Sequence, residues 1–172
     1  PPPPPPLPAS SAASDVYKRQ TYAAVQQQLD LKVVIKELFL PGYCLREADH
    51  SVALQSMKNK QFKVFKQQFL NEGKILARTQ HQHIAQVKDT FAENNTVYLV
   101  MEYVEGKSLA AIINEKGSLN EQEAIRYIRQ IAEGLKVVHQ QGFLHKDVRP
   151  KNIIINQQRE AVLVGLGVEK DK

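Results

Sequence analysis

Asp147, Arg149 and Asn152 share one short polar run, His145-Lys146-Asp147-Val148-Arg149-Pro150-Lys151-Asn152. A carboxylate in such a loop can accept the proton of an attacking hydroxyl, or orient that hydroxyl. An amide oxygen on the same loop can ligate a divalent cation carried on nucleotide phosphates. A cation beside them can neutralise a phosphoryl group in transit. Two more charges stand where apolar residues would be ordinary. Lys36 ends the β-branched run Val33-Val34-Ile35, and Glu72 interrupts the stripe Phe62, Phe65, Phe69, Leu76. A lysine there can be a surface side chain with a snorkelling stem. A carboxylate on an inward stripe needs a partner.

The elements that must position these groups follow from periodicity. Thr21–Val25 and Lys32–Leu38 read as strands around a polar turn, 26–30. Residues 39–60 read as irregular, with Pro41-Gly42 as a turn. The Phe62 stripe predicts a helix over about 61–79. Ile84–Phe91 and Thr96–Glu102 form a hairpin turning at Glu93-Asn94-Asn95, and Gly106 breaks the chain. Ser108–Glu115 is a short helix. A longer one begins after Asn120 as N-cap, with Glu123 completing a capping box. Its apolar face is Ala124, Ile128, Ile131, Leu135 and Val138, and Gly142 stops it. Then come the 145–152 loop and the strands Ile153–Ile155 and Ala161–Val164. Strands first and helices after describe an α+β body.

The bulk numbers set bounds on this reading. The chain has 172 residues, of which 42% are hydrophobic, and a formal charge of +5. That length suits one domain. No apolar run approaches the roughly 18 residues of a membrane span. The mild, scattered positive charge suits an anionic ligand such as a nucleotide. No Lys/Arg run is interleaved with aromatics, which excludes a nucleic-acid partner from the reading. The single cysteine, Cys44, fits a reducing, cytoplasmic compartment and a buried, inert thiol. Residues 1–20 stand apart. The Pro-rich start and the string Asp15-Val16-Tyr17-Lys18-Arg19-Gln20 read as the translated end of a sequencing adapter, or else as a natural disordered leader. They are set aside, with the expectation that the parent protein is larger.

Taken in order, the motifs resemble a protein kinase catalytic domain of the bacterial, eukaryotic-like Ser/Thr type, present in part. The 145–152 run is similar to the family's His-Arg-Asp catalytic loop with its following Asn. Val33-Val34-Ile35-Lys36 looks like its Val-Ala-Ile-Lys strand, and Val97–Gly106 is similar to the hinge between its two lobes. The resemblance implies a two-lobed fold: a partial N-lobe and hinge over 21–104, and the start of a C-lobe over 105–172. It implies ATP and Mg²⁺ as cofactors, and a nucleotide and a protein substrate as partners, with no membrane anchor in this stretch. It further implies catalytic roles for Lys36, Glu72, Asp147, Arg149 and Asn152. Glu72 would orient Lys36, Lys36 would hold the phosphates, and Asn152 would ligate metal. Val34, Lys36, Met101, Glu102, Val104 and Ile154 would contact the nucleotide.

Three features depart from the family pattern. No Gly-x-Gly-x-x-Gly lies upstream of Thr21, so the phosphate-covering loop is expected to be missing rather than altered. Lys146 replaces the family's Arg and loses its bidentate fork. Gly165-Leu166-Gly167 stands where Asp-Phe-Gly is expected, and neither Glu169 nor Asp171 is placed to replace the lost carboxylate. The glycine is either real, which points to a pseudokinase scaffold that binds nucleotide weakly, or a single-base misread of an Asp codon. A small-molecule kinase of the aminoglycoside or choline type shares the fold. Arg149-Pro150 and the Glu102 hinge favour a protein kinase over it. The helical lobe that would cover the long helix is absent, so the isolated chain is expected to be marginally stable.

Overall fold

The computed structural model describes residues 19–27, 29–165 and 169–170. The leader reading of residues 1–18 and the readings of Leu166, Gly167 and Asp171 lie outside the described residues. The chain divides into two compact units. One runs through Lys74 and includes Val87–Tyr103; the other holds Ile75–Gln86 and Val104 onward.

The first unit is built on a four-stranded antiparallel sheet of β1 (Arg19–Gln26), β2 (Leu31–Leu38), β5 (Val87–Glu93) and β6 (Thr96–Glu102), in the order β1-β2-β6-β5. β1 begins at Arg19, and Arg19 and Gln20 pair with Leu38 and Glu37. Asn94 and Asn95 close the β5–β6 hairpin with φ of 49° and 59°. Two central residues at positive φ make the tight turn whose twist matches paired strands. The strand expected from Ile84 starts only at Val87. Ile84 instead forms a parallel bridge with Leu163 in the second unit.

Residues 39–60 are not irregular throughout. They contain a hairpin of β3 (Cys44–Arg46) and β4 (Val52–Leu54), followed by helix α1 (Asn59–Arg78). Three-residue strands are too short to show alternation, so the sequence pattern carries no sign of them. The hairpin is tied to the β5–β6 turn. Val52 N–H donates to Asn94 O at 2.9 Å, and Asn95 Nδ2 donates to Val52 O at 2.8 Å.

A buried carboxylate joins the hairpin to the sheet from the other side. Glu37 is 1% exposed. Its carboxylate accepts from Tyr22 Oη at 2.8 Å, Tyr98 Oη at 3.1 Å and Arg46 at 2.5 Å. Register explains the grouping: Glu37 lies opposite Gln20 on β1 and Tyr98 on β6, so their side chains share one face. Burial, and after it the Glu37 carboxylate, raises the Tyr22 hydroxyl pKa; burial also raises that of Tyr98. The guanidinium of Arg46 also stacks over Phe39, with 5.1 Å to the ring centroid.

In the second unit, β7 (Gly106–Ser108), β9 (Ile153–Asn156) and β10 (Ala161–Leu163) form a sheet in the order β10-β9-β7. Gly106 does not break the chain; it sits in β7, where a Cβ would run into the Ile155 carbonyl. Helix α2 (Leu109–Lys116) is capped by Ser108, whose Oγ accepts from Ala111 N at 3.1 Å. Helix α3 (Glu121–Gln140) is capped by Asn120, whose Oδ1 accepts from Glu123 N at 2.9 Å. Its buried line is Tyr127, Ile131, Gly134 and Val138. Ile128, expected to face inward, is 69% exposed. The reason lies at Gly134. With no side chain there the helix closes on Ile84, whose Cδ1 would lie 2.9 Å from a Cβ on residue 134. The buried line is set by that approach.

Two outcomes follow. Arg46→Met leaves the Glu37 charge buried without its cation and is expected to cost about 3 kcal/mol of stability in urea melts. Adding Glu37→Gln to that variant should recover much of the loss. Cys44 is buried, and burial raises its thiol pKa. A thiol reagent at neutral pH should label it slowly in the native chain and fully in denaturant.

Candidate active site

Just past the C-cap of α3 stands Gly142, whose φ of 77° only glycine adopts freely. The chain then forms β8 (Phe143–Leu144), which pairs with β11 (Glu169–Lys170). The loop that follows ends in a 3₁₀ turn at Pro150–Asn152, with Pro150 at its first position. Asn152 N–H donates to Arg149 O at 2.9 Å, and Asn152 O accepts from Val164 N–H at 2.8 Å. Lys146 holds a left-handed backbone with φ of 57°. A non-glycine residue in that region is uncommon and gathers at functional loops.

These constraints bring Asp147, Arg149 and Asn152 together. Arg149 Nε lies 2.8 Å from Asp147 Oδ1, and one guanidinium NH₂ donates to Oδ2 at 3.1 Å. The Nε–H is not aligned on the oxygen, so that contact is charge pairing rather than a hydrogen bond. Asn152 Nδ2 donates to Asp147 Oδ2 at 2.7 Å and to Asp147 O at 2.9 Å. Both carboxylate oxygens of Asp147 are therefore engaged. The arrangement can do two things: present a carboxylate in a fixed orientation to a hydroxyl, and keep a positive charge next to it.

His145, quoted in the motif but given no role, is 2% exposed and holds the loop to the segment after β10. Its Nε2 is 2.6 Å from Gly165 O, and Asp147 N–H lies 3.3 Å from its Nδ1. A neutral ring with the proton on Nε2 satisfies both contacts. The signal was available: a histidine two residues before the key carboxylate can bond that residue's backbone.

The donor set for a magnesium ion is thin in this loop, with the Asn152 amide oxygen left uncommitted by the bonds that its nitrogen donates. Gly165 supplies no carboxylate, and the Asp147 oxygens face a guanidinium and an amide. Among the described residues, no group of three or more His, Cys, Asp or Glu side chains is placed to hold a metal ion.

In the first unit, Lys36 lies opposite Leu99 on β6, and Val34 lies opposite Met101. Alternation then puts Val34, Lys36, Leu99 and Met101 on one sheet face, away from Glu37. Helix α1 covers this face at Gly73, which abuts the Leu99 side chain. Lys36 is buried and Glu72 half-buried, and neither side chain is free. Glu102 is exposed at the end of β6. Val104 is half-buried in the second unit, as is Ile154 in the middle of β9. The cluster sequence reasoning missed is Glu37, Tyr22, Tyr98 and Arg46.

Comparison with known proteins gives the family. The family model for the protein kinase domain matches residues 43–171. Calcium/calmodulin-dependent protein kinase type 1 of Caenorhabditis briggsae is 37% identical over 150 residues, which is 85% of this chain and 42% of that protein. Probable serine/threonine-protein kinase pknA2 of Bifidobacterium longum is 30% identical over 149 residues, 87% of this chain and 18% of that protein. Serine/threonine-protein kinase PknH of Mycobacterium tuberculosis is 30% identical over 132 residues, 77% of this chain and 21% of that protein. The chain thus spans less than half the length of these relatives. The solved structure of PpkA-294 in its apo form superposes with a TM-score of 0.78 at 24% identity, over 92% of this chain and 57% of that one. The α+β architecture is that of a partial kinase fold, and this chain belongs to the protein kinase family.

Proposed function

We propose that this chain carries part of the ATP-dependent phosphoryl-transfer machinery of a protein serine/threonine kinase. The observation that supports it best is the convergence of Asp147, Arg149 and Asn152 on one loop. In this reading a protein hydroxyl attacks the γ-phosphorus of ATP. The new oxygen–phosphorus bond forms as the bond to the β–γ bridging oxygen breaks, and ADP leaves. Asp147 orients the hydroxyl and takes its proton, while Arg149 places positive charge beside the moving phosphoryl group. Lys36 holds the phosphates and Glu72 orients Lys36. Val34, Met101 and Ile154 would pack on the nucleotide, and backbone groups at Glu102 and Val104 would meet its base.

Kinases of this family generally use ATP with Mg²⁺. Here the donor set for the metal is depleted, so the rate is expected to be far below that of a complete site. A second reading, a non-catalytic module that binds nucleotide weakly, draws on the same depletion at Gly165. No helix among the described residues is long and apolar enough to cross a membrane. The single buried thiol suits a reducing, cytoplasmic setting.

Radiolabel transfer from γ-labelled ATP to a generic protein substrate tests the leading reading. The chain should incorporate label slowly, and Asp147→Asn should reduce the rate by a further factor of about 10²–10⁴. Equal incorporation by both would remove Asp147 from the mechanism. Lys36→Met and Glu72→Gln should each weaken nucleotide binding, and the double variant should be no worse than the poorer single one. Independent, additive losses would dissolve the pair.

A further inference from the structure

The start of helix α1 is not held by its own sequence. Its first turn carries no acidic residue, and Lys58 and Lys60 stand at the positive end of its dipole. That arrangement weakens a helix start, because cations are favoured at the other end. Residues 39–58, which lead into the helix, are bonded instead. Cys44 N–H donates to Leu40 O at 2.9 Å, Gln55 N–H to Tyr43 O at 2.9 Å, and Ser56 Oγ to Gly42 O at 2.9 Å. The β3–β4 hairpin lies inside this connector, and Arg46 fastens it to the sheet. Its guanidinium meets four separate stretches of chain: Glu37 on β2 at 2.5 Å, Gln20 on β1 at 3.1 Å, the His50 carbonyl at 3.0 Å, and the ring of Phe39. Further along, Lys66 Nζ donates to Asn95 O at 3.3 Å, and Gly73 of α1 abuts the Leu99 side chain of β6.

We propose that Glu37 and Arg46 are positioning residues: their pair clamps the 39–58 connector to the sheet, and the clamp holds the N-terminal half of α1 in place. Glu37 is 1% exposed, so any other placement of the hairpin would leave a buried carboxylate without its cation. The connector therefore has little choice of position, and neither has the helix that begins one residue after it. Glu37 itself points away from the Lys36 face, because adjacent residues of β2 serve opposite sides of the sheet. The strand that offers Lys36 to one face thus anchors, through its next residue, the segment that brings in Glu72. The link to phosphoryl transfer rests on the kinase reading, in which Glu72 orients Lys36; the clamp does not rest on it.

Hydrogen exchange read by mass spectrometry, well below the melting transition of each variant, tests the clamp. Arg46→Met should speed exchange of the amides of residues 63–70 by about tenfold or more, and leave those of β9 and β10 within about twofold. Glu37→Gln combined with Arg46→Met separates positioning from stability, because it removes the buried charge together with the clamp. This double variant should regain much of the lost stability while α1 stays fast. Return of α1 to the exchange of the unmodified chain in the double variant would overturn the proposal, as would a uniform acceleration over the whole chain in Arg46→Met. A fluorescent ATP analogue then probes the link to Lys36. The double variant should weaken its binding by about fivefold, but by less than about twofold in a Lys36→Met background. Equal weakening in both backgrounds would break that link. No binding to the unmodified chain would sink the kinase reading, while the exchange rates would still decide the clamp.

Discussion

The Asp147 carboxylate is held at both oxygens by groups from its own loop, and the rest of the site is arranged around that fact. Arg149 meets the charge, Asn152 donates to one carboxylate oxygen, and His145 fixes the backbone on which the carboxylate rides. A partly buried charge needs such company, because lost hydration must be replaced by paired and bonded groups. Two of those partners are in turn tied elsewhere, Asn152 to Val164 and His145 to Gly165, and Pro150 starts the turn between Arg149 and Asn152. The loop is stiff because its polar groups bond one another, not because it belongs to a regular element.

The same constraint organises the first unit. β2 places Lys36 on one face and Glu37 on the other, so adjacent residues serve opposite sides of the sheet. Lys36 shares its face with Val34, Leu99 and Met101. Glu37 gathers two tyrosines and the arginine of the β3–β4 hairpin, and draws that hairpin onto the sheet. A one-residue slip in β2 would exchange the two charges between faces and strand both. The pair therefore specifies register more sharply than an apolar strand of the same length would.

What could be read from the sequence divides along physical lines. Long elements with a clear period, α1, α3 and the β5–β6 hairpin, were visible because many residues vote on one face. The 145–152 loop stood out because its residue types are rare in that combination. The β3–β4 hairpin was hidden, since three residues cannot establish a period. Ile128 was misplaced because two apolar lines run along α3, and the choice between them is made by the close approach of Gly134 to Ile84, a tertiary contact. Glu37 looked like an ordinary charge after Lys36; its importance depends on register partners on β1 and β6 and on an arginine from an unforeseen hairpin.

Gly165 shows why family membership and site chemistry are separate questions. The backbone path follows from apolar pattern and turns, which is how a TM-score of 0.78 accompanies 24% identity. The site follows from single side chains on that path. A side chain at 165 would lie against Asn152, and Asn152 bonds Asp147. Residue 165 is thereby linked to Asp147 through packing on Asn152. Residues 147, 152 and 165 are not independent positions on that path, because the distances make them one unit.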